Sequence, residues 1–390
     1  HNKKRTISKM IFTDFFIFRF YNFKYIRTKL ENSFFKCNIL IKFAREKMEN
    51  ISALRQLLAG SSKVTALVHT HPDGDALGSG AAFVLYASQR LGKDARLILP
   101  DSAPPTVSFI TEGLDVLDAS LFPDEARRRI ADSDLLVILD LNELRRTEQL
   151  APAVARSTAF KVLVDHHLNP DLPAFGLAFS EPERSSTCEL LYFILKELEH
   201  GHAGNIPPAC LTALMTGMTT DTNNFANSVT PCTLQMASEL LQAGVDRDAI
   251  IDKLYHSDRE QRLKCFADMT ERHLVILPSG ISYMIMTERM RQAYGIDAGE
   301  TEGLVNMPLT LKKVRMSIFV REENGMFRVS IRSKRGLSAR AMAAGHFHGG
   351  GHELAAGGKI FWPQDIPSKD AAAAYIEEIA ARFLRNQTTN

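Results

Sequence analysis

The sequence predicts an α/β protein, a parallel-sheet domain flanked by helices and followed by a smaller α/β domain. Three observations predict it. From Val64 onward, short apolar runs alternate with helical patterns, which suits a parallel sheet covered on both faces. After Leu274 the texture changes, and a hairpin signal at Glu323-Asn324-Gly325 stands between two strand patterns. The residues able to do chemistry collect where the apolar runs end.

In chain order, Val64–Val68 reads as a buried strand and Ala76–Leu91 as the helix after it, stopped by Gly92. Ala95–Leu99 is a second strand, closed by Pro100, and Leu135–Leu139 and Lys161–Val164 are two more. Ser186-Thr187-Cys188-Glu189 has the spacing of a capping box and opens a helix over Leu190–Leu198. Further helices are expected near Ala209–Thr219, Thr233–Gln242, Ala249–His256 and Gln261–His273. Beyond Leu274, strands are expected at Ile281–Met286, Met316–Val320, Phe327–Ile331 and Ile360–Trp362. Helices are expected near Ala339–Ala344 and Ala371–Leu384, with a glycine cluster between them. The division falls near Leu274, giving domains over 48–274 and 275–390.

The 390 residues are 45% hydrophobic and 24% charged, which excludes a disordered chain, a collagen-like rod and a disulfide-rich scaffold. The net charge of +2 hides an asymmetry: residues 1–47 hold 12 basic and 3 acidic side chains and nine of the 23 Phe. The remainder is therefore mildly acidic, so gross attraction to nucleic acid is not expected of it. Residues 1–47 read as an extension, non-native or disordered, with Met48 as the expected true start. The apolar stretch Ile11–Phe20 is broken by Asp14 and Arg19 and is too short to span a bilayer, so no membrane partner and a cytoplasmic location are expected. The five cysteines (Cys37, Cys188, Cys210, Cys232, Cys265) form no Cys-x-x-Cys pair and suggest neither staples nor zinc.

The first strand delivers His69-Thr70-His71-Pro72-Asp73-Gly74-Asp75. Carboxylates so close repel unless a cation sits between them, and Gly74 lets the chain turn there. The strand at Leu135–Leu139 ends at Asp140, and Lys161–Val164 ends at Asp165-His166-His167. Asp221 stands where a helix gives way to a polar loop. A lone strand-end Asp is more often a cap or turn residue. Together, on the one sheet edge where open parallel sheets bind ligands, these groups read as a site. The donors are oxygen and imidazole without thiolate, which favours manganese, magnesium or a similar divalent ion. Four carboxylates and two histidines exceed the needs of one ion and suit two, about 3.5–4 Å apart, with a shared carboxylate.

His69-x-x-Pro72-Asp73-x-Asp75, Asp140, Asp165-His166-His167 and Asp221, in this order, resemble the DHH phosphoesterase superfamily. Gly349-Gly350-Gly351-His352 followed by Ala355-Ala356-Gly357 resembles its DHH-associated domain, and the two-domain layout is similar to the nanoRNase and pAp-phosphatase branch. The resemblance implies an active site in the cleft between a DHH metal domain and a substrate domain. It implies that His69, Asp73 and Asp140 hold one ion and Asp75, Asp140, His166 and Asp221 the other, most plausibly manganese, with Asp140 bridging. His167 would contact the scissile phosphate or leaving oxygen and Asp165 would orient the histidines, while His71 is a neighbour. Arg332, Ser333, Gly349, Gly350, Gly351 and His352 would bind substrate, the glycines by offering backbone N–H groups to a phosphate. The implied substrates are short oligoribonucleotides and 3′-phosphoadenosine 5′-phosphate (pAp), and a homodimer is implied by resemblance alone. Cyclic or linear dinucleotide hydrolysis is the alternative within the class. A pyrophosphatase or polyphosphatase would want a more lysine-rich second domain, and a non-catalytic nucleotide-binding module would want broken ligands.

Overall fold

The structure is a computed structural model that describes residues 48–297 and 299–387. The expected extension at 1–47 and Cys37 lie outside the described residues. Helix α1 (48–60) buries Ile51, Leu54 and Leu58. Strands β1 (Lys63–Leu67), β2 (Asp94–Leu99), β3 (Val116–Asp118), β4 (Leu135–Leu139), β5 (Phe160–Asp165) and β6 (Leu177–Ser180) form one sheet. All its pairs are parallel and the order is β3-β2-β1-β4-β5-β6.

β4 shows why such strands read as unbroken apolar runs. All five of its residues are buried, and they divide between two cores. Leu135, Val137 and Leu139 face α2 (Gly74–Leu85), α5 (Thr187–Leu198) and α6 (Pro208–Asp221). Leu136 and Ile138 face α3 (Pro123–Asp132) and α4 (Ala151–Arg156). β3, β6, α3 and α4 are additions to the predicted elements. The two strands have three and four residues, too short to show a period. α2 runs on through a π-type turn at Tyr86–Arg90 and stops before Gly92, as predicted.

α7 (Pro231–Gln242), α8 (Arg247–Tyr255) and α9 (Glu260–Arg272) lead to the second sheet. It holds β7 (Val275–Ile276), β8 (Ile281–Met286), β9 (Met316–Glu323), β10 (Met326–Ser333), β11 (Gly350–Gly351) and β12 (Ala355–Phe361). The order is β11-β12-β10-β9-β8-β7, antiparallel except between β8 and β9. β9 and β10 turn at Asn324 (φ 47°) and Gly325 (φ 78°), the left-handed pair that a two-residue hairpin requires. Helix α10 (Glu288–Tyr294) follows β8, while α11 (Ala339–His346) and α12 (Ala372–Gln387) cover one face of the sheet. The strand predicted at Ile360–Trp362 begins at Ala355, because Ala355-Ala356-Gly357-Gly358 pairs with β10 instead of looping. The four described cysteines are free, and no described helix is long and apolar enough to cross a membrane.

Candidate metal centre

Strand order reverses between β1 and β4, so the chains leaving their carboxyl ends part to opposite sides and open a crevice there. Residues after β1 line it first. Asp73 caps α2, its Oδ1 accepting the N–H groups of Asp75 (3.0 Å) and Ala76 (3.1 Å). Gly74 is needed for a reason the sequence did not suggest: a Cβ there would lie 2.3 Å from Thr220 Oγ1, so α2 and α6 could not close together. Asp75 lies against the start of α5, where its carboxylate accepts the N–H groups of Thr187 (2.7 Å) and Cys188 (2.9 Å).

Asp140 is the first residue beyond β4. Its amide still donates to Val164, yet its φ is +59°, a left-handed conformation that aspartate adopts at modest cost. Its two oxygens face two groups. Oδ2 lies 3.4 Å from His69 Nε2, which is also 3.9 Å from Asp73. Oδ1 accepts from Thr187 Oγ1 at 3.0 Å and lies 3.7 Å from His166 Nε2. That same nitrogen is 3.6 Å from Asp221 and 3.9 Å from Asp75. The ligand atoms of His69, Asp73 and Asp140 lie within 4.8 Å of one another, as do those of Asp75, His166 and Asp221. Thus the six side chains, from the β1–α2 turn, the start of α2, the residues just beyond β4 and β5 and the end of α6, form two adjoining triads, with Asp140 between them. Both ligand-side nitrogens are aimed by backbone: His69 Nδ1 bonds Thr70 O (2.7 Å) and His166 Nδ1 bonds Arg184 O (3.2 Å).

The electrostatics fit a cation site. Asp75 and Asp140 are 1% and 2% exposed, so water cannot relieve their repulsion. Burial, then the charges of Asp140 and Asp221, push the Asp75 carboxyl well up. Burial also lifts Asp221 to about 7. Burial opposes ionisation of Asp140, but the contact from His69 and the nearby imidazoles hold it well below the usual range. Burial disfavours a charged His166, and Asp221, Asp75 and Asp140 outweigh it, raising the ring to about 9. Such strained proton sharing is what a divalent ion removes.

His167 stands beside the triads. Its Nδ1–H donates to Asp165 (2.7 Å) and its Nε2 accepts from Arg146 (3.1 Å), so both nitrogens are engaged. Asp165 is fully buried, and its Oδ2 has no hydrogen-bond partner. His71 pairs with Asp101 instead of the triads (3.5 Å).

The second sheet reaches the same crevice. The His352 ring stacks on His167 with centroids 4.8 Å apart, and Arg332, Lys334 and His352 line a cleft of about 1210 Å³ shared with Asp73, His166 and Asp221. One substrate-binding expectation needs correction. Along β10 burial alternates, so Arg332 and Ser333 face opposite ways. The Ser333 hydroxyl donates to Leu337 O at 2.7 Å on the core side. Of the glycines, the Gly349 amide donates to Ala343 O (3.3 Å), while Gly350 and Gly351 are exposed and form an edge strand paired with Gly357 and Ala356. Gly349 is small because a Cβ would meet Gly357 O at 1.9 Å.

The residues that orient the triads were not foreseen. The capping box is half formed. Ser186 accepts from Glu189 N–H, while the Glu189 side chain turns to Arg184, Ser185 and Thr233. That buried cluster holds the segment whose Arg184 carbonyl, Thr187 hydroxyl and Cys188 amide touch three of the six side chains. Backbone groups carry no signature in sequence, so only the helix start was visible.

The DHH family, N-terminal domain matches residues 63–218, and the DHHA1 domain matches residues 281–381. A bifunctional oligoribonuclease and PAP phosphatase of Bacillus subtilis is 26% identical over 302 residues, 76% of this chain and 90% of that protein. A cyclic-di-AMP phosphodiesterase of Listeria monocytogenes is 28% identical over 221 residues, 54% of this chain but 33% of that protein. The crystal structure of an exopolyphosphatase-related protein from Bacteroides fragilis superposes with a TM-score of 0.80 at 28% identity, covering 86% of this chain and 96% of that one.

Proposed function

From the premise that the chain belongs to the DHH family, we propose that it is a manganese-dependent phosphoesterase that cuts short oligoribonucleotides to mononucleotides and converts pAp to AMP. The observation that carries this is the pair of triads meeting at Asp140 and facing Arg332 and His352 across the cleft. Two divalent ions held by the triads would supply a water of lowered pKa and neutralise phosphate charge. The side chains do the rest. Asp140 presents one oxygen to each triad, and Asp75 is locked by the α5 amides, so the donors are preorganised. Arg332 offers a guanidinium fork for phosphate, and the cleft has room for a mono- or dinucleotide.

We also place the division into catalytic and substrate domains at Leu274, and we propose a cytoplasmic homodimer. Cyclic dinucleotide hydrolysis is the second reading, favoured by the Listeria relative but over a shorter match. The test is a chelator-stripped protein resupplied with manganese or magnesium, with initial rates on pAp, a dinucleotide, a five-mer and cyclic di-AMP. AMP from pAp and mononucleotide from the dinucleotide, faster with manganese, are expected. Faster cleavage of cyclic di-AMP would favour the second reading, and no product from any substrate would end both.

A further inference from the structure

Resting on the phosphoesterase reading, we propose that Arg146 is a catalytic residue whose guanidinium contacts the scissile phosphate and stabilises the charge developing there. Arg146 lies in the 3-10 helix Leu144–Leu150 that follows β4, six positions beyond Asp140. The helix is pinned against the first metal-binding turn: the Arg146 carbonyl accepts the Thr70 N–H at 2.8 Å, and its amide donates to Glu143 O at 3.1 Å. The guanidinium is therefore delivered to the crevice by backbone and not by a flexible tip. It donates to His167 Nε2 at 3.1 Å, on the ring that stacks with His352.

Arg146 has no counter-charge, unlike two arginines near it. Its neighbour Arg145 pairs with Glu143 at 2.6 Å, and Arg184 pairs with Glu181 and Glu189. Among the described residues no carboxylate pairs with Arg146, and one hydrogen bond leaves most of its five N–H donors available. A half-buried guanidinium without an anion is a receptor for one.

Charge balance says which anion. The carboxylates of Asp73, Asp75, Asp140 and Asp221 would offset two divalent ions, so the ligand set itself offers a phosphate no net attraction. In hydrolysis one water is consumed: its oxygen joins phosphorus, the bond from phosphorus to the sugar oxygen breaks, and a proton ends on that departing oxygen. Negative charge grows on the phosphoryl oxygens and the departing oxygen on the way. Cations beyond the ligands must meet it. Arg332 lines the cleft with Asp73 and Asp221, and Arg146 donates to His167. The two guanidiniums therefore bracket the triads, one from each sheet.

The test uses the full chain with Arg146→Ala and Arg146→Lys, and Arg145→Ala as the control. Arg146→Ala should lower kcat on pAp by about 10²- to 10³-fold, the loss typical of a missing transition-state donor. It should weaken inorganic phosphate binding to the manganese-loaded protein by about tenfold or more. The rise in Tm on adding manganese should be unchanged. Free guanidinium ion should restore part of the Arg146→Ala rate, which a merely structural role would not allow. Arg146→Lys should keep more phosphate affinity than Arg146→Ala, and Arg145→Ala should match the parent. Parental kcat and phosphate affinity in Arg146→Ala would overturn the proposal, as would loss of the manganese-induced Tm rise. A parent that binds phosphate through Arg146 yet hydrolyses neither pAp nor a dinucleotide would end the phosphoesterase reading and leave the phosphate contact standing.

Discussion

β4 and β10 are central strands of their sheets, yet they carry chemistry in opposite ways. Every residue of β4 is buried between two helical layers, so a polar side chain has no place until the strand stops, and Asp140 stands at the first position beyond it. β10 has helices on one face, and its residues alternate between half-buried and buried. Arg328 and Arg332 can therefore sit within the strand, on the open face. A doubly covered parallel sheet confines function to one edge, where several strands contribute one residue each. A singly covered sheet can offer a surface of spaced cations. The first arrangement suits a compact ion cluster and the second an extended, charged ligand.

Five substitutions sharpen or break that contrast. Asp140→Ala removes the carboxylate between the triads and should cut kcat by about 10⁴-fold, roughly 5 kcal/mol, while far-UV circular dichroism stays native. Full activity with manganese present would refute the shared role. Leu136→Ala leaves a cavity in a strand packed on both faces and should cost about 2–5 kcal/mol in chemical denaturation. Ser330→Ala, on the open face of β10, should cost less than about 0.5 kcal/mol by the same measurement. A similar cost at both sites would mean that the faces do not differ. Arg332→Ala should raise KM for pAp and lower kcat/KM by about 10- to 100-fold, the worth of a charge-assisted phosphate contact, without altering the manganese-induced Tm rise. On substrate affinity the smallest effect is expected at Ser333→Ala. Losing the bond to Leu337 O should cost about 1 kcal/mol of stability and leave KM where it was; a tenfold rise in KM would return Ser333 to the substrate site.

The six triad residues were legible because each stands at the end of an element whose pattern is strong. Apolar runs mark where β1, β4 and β5 stop, and their carboxyl ends share one edge. Ser333 was legible too, since strict alternation along β10 separates it from Arg332; the Arg-Ser resemblance outweighed that period. Arg146 and Arg184 were not. One lies in a short 3-10 helix that shows no period in sequence, and the other acts through a carbonyl that any residue would supply. Nor was the need for glycine at 349 legible: it is small because two backbones touch, a contact between segments that sequence does not place together.

Periodicity and residue chemistry are local properties, and they determined the two sheets, the edge that carries the candidate metal ligands and the kinds of donor offered. Which donors meet was decided by tertiary structure. The 3-2-1-4-5-6 strand order opens the crevice at β1 and β4, and the amides of α5 lock Asp75. Packing of the second sheet sets His352 on His167. These are distances between residues far apart in the chain, and they follow from how buried surfaces fit together, not from what any one segment prefers.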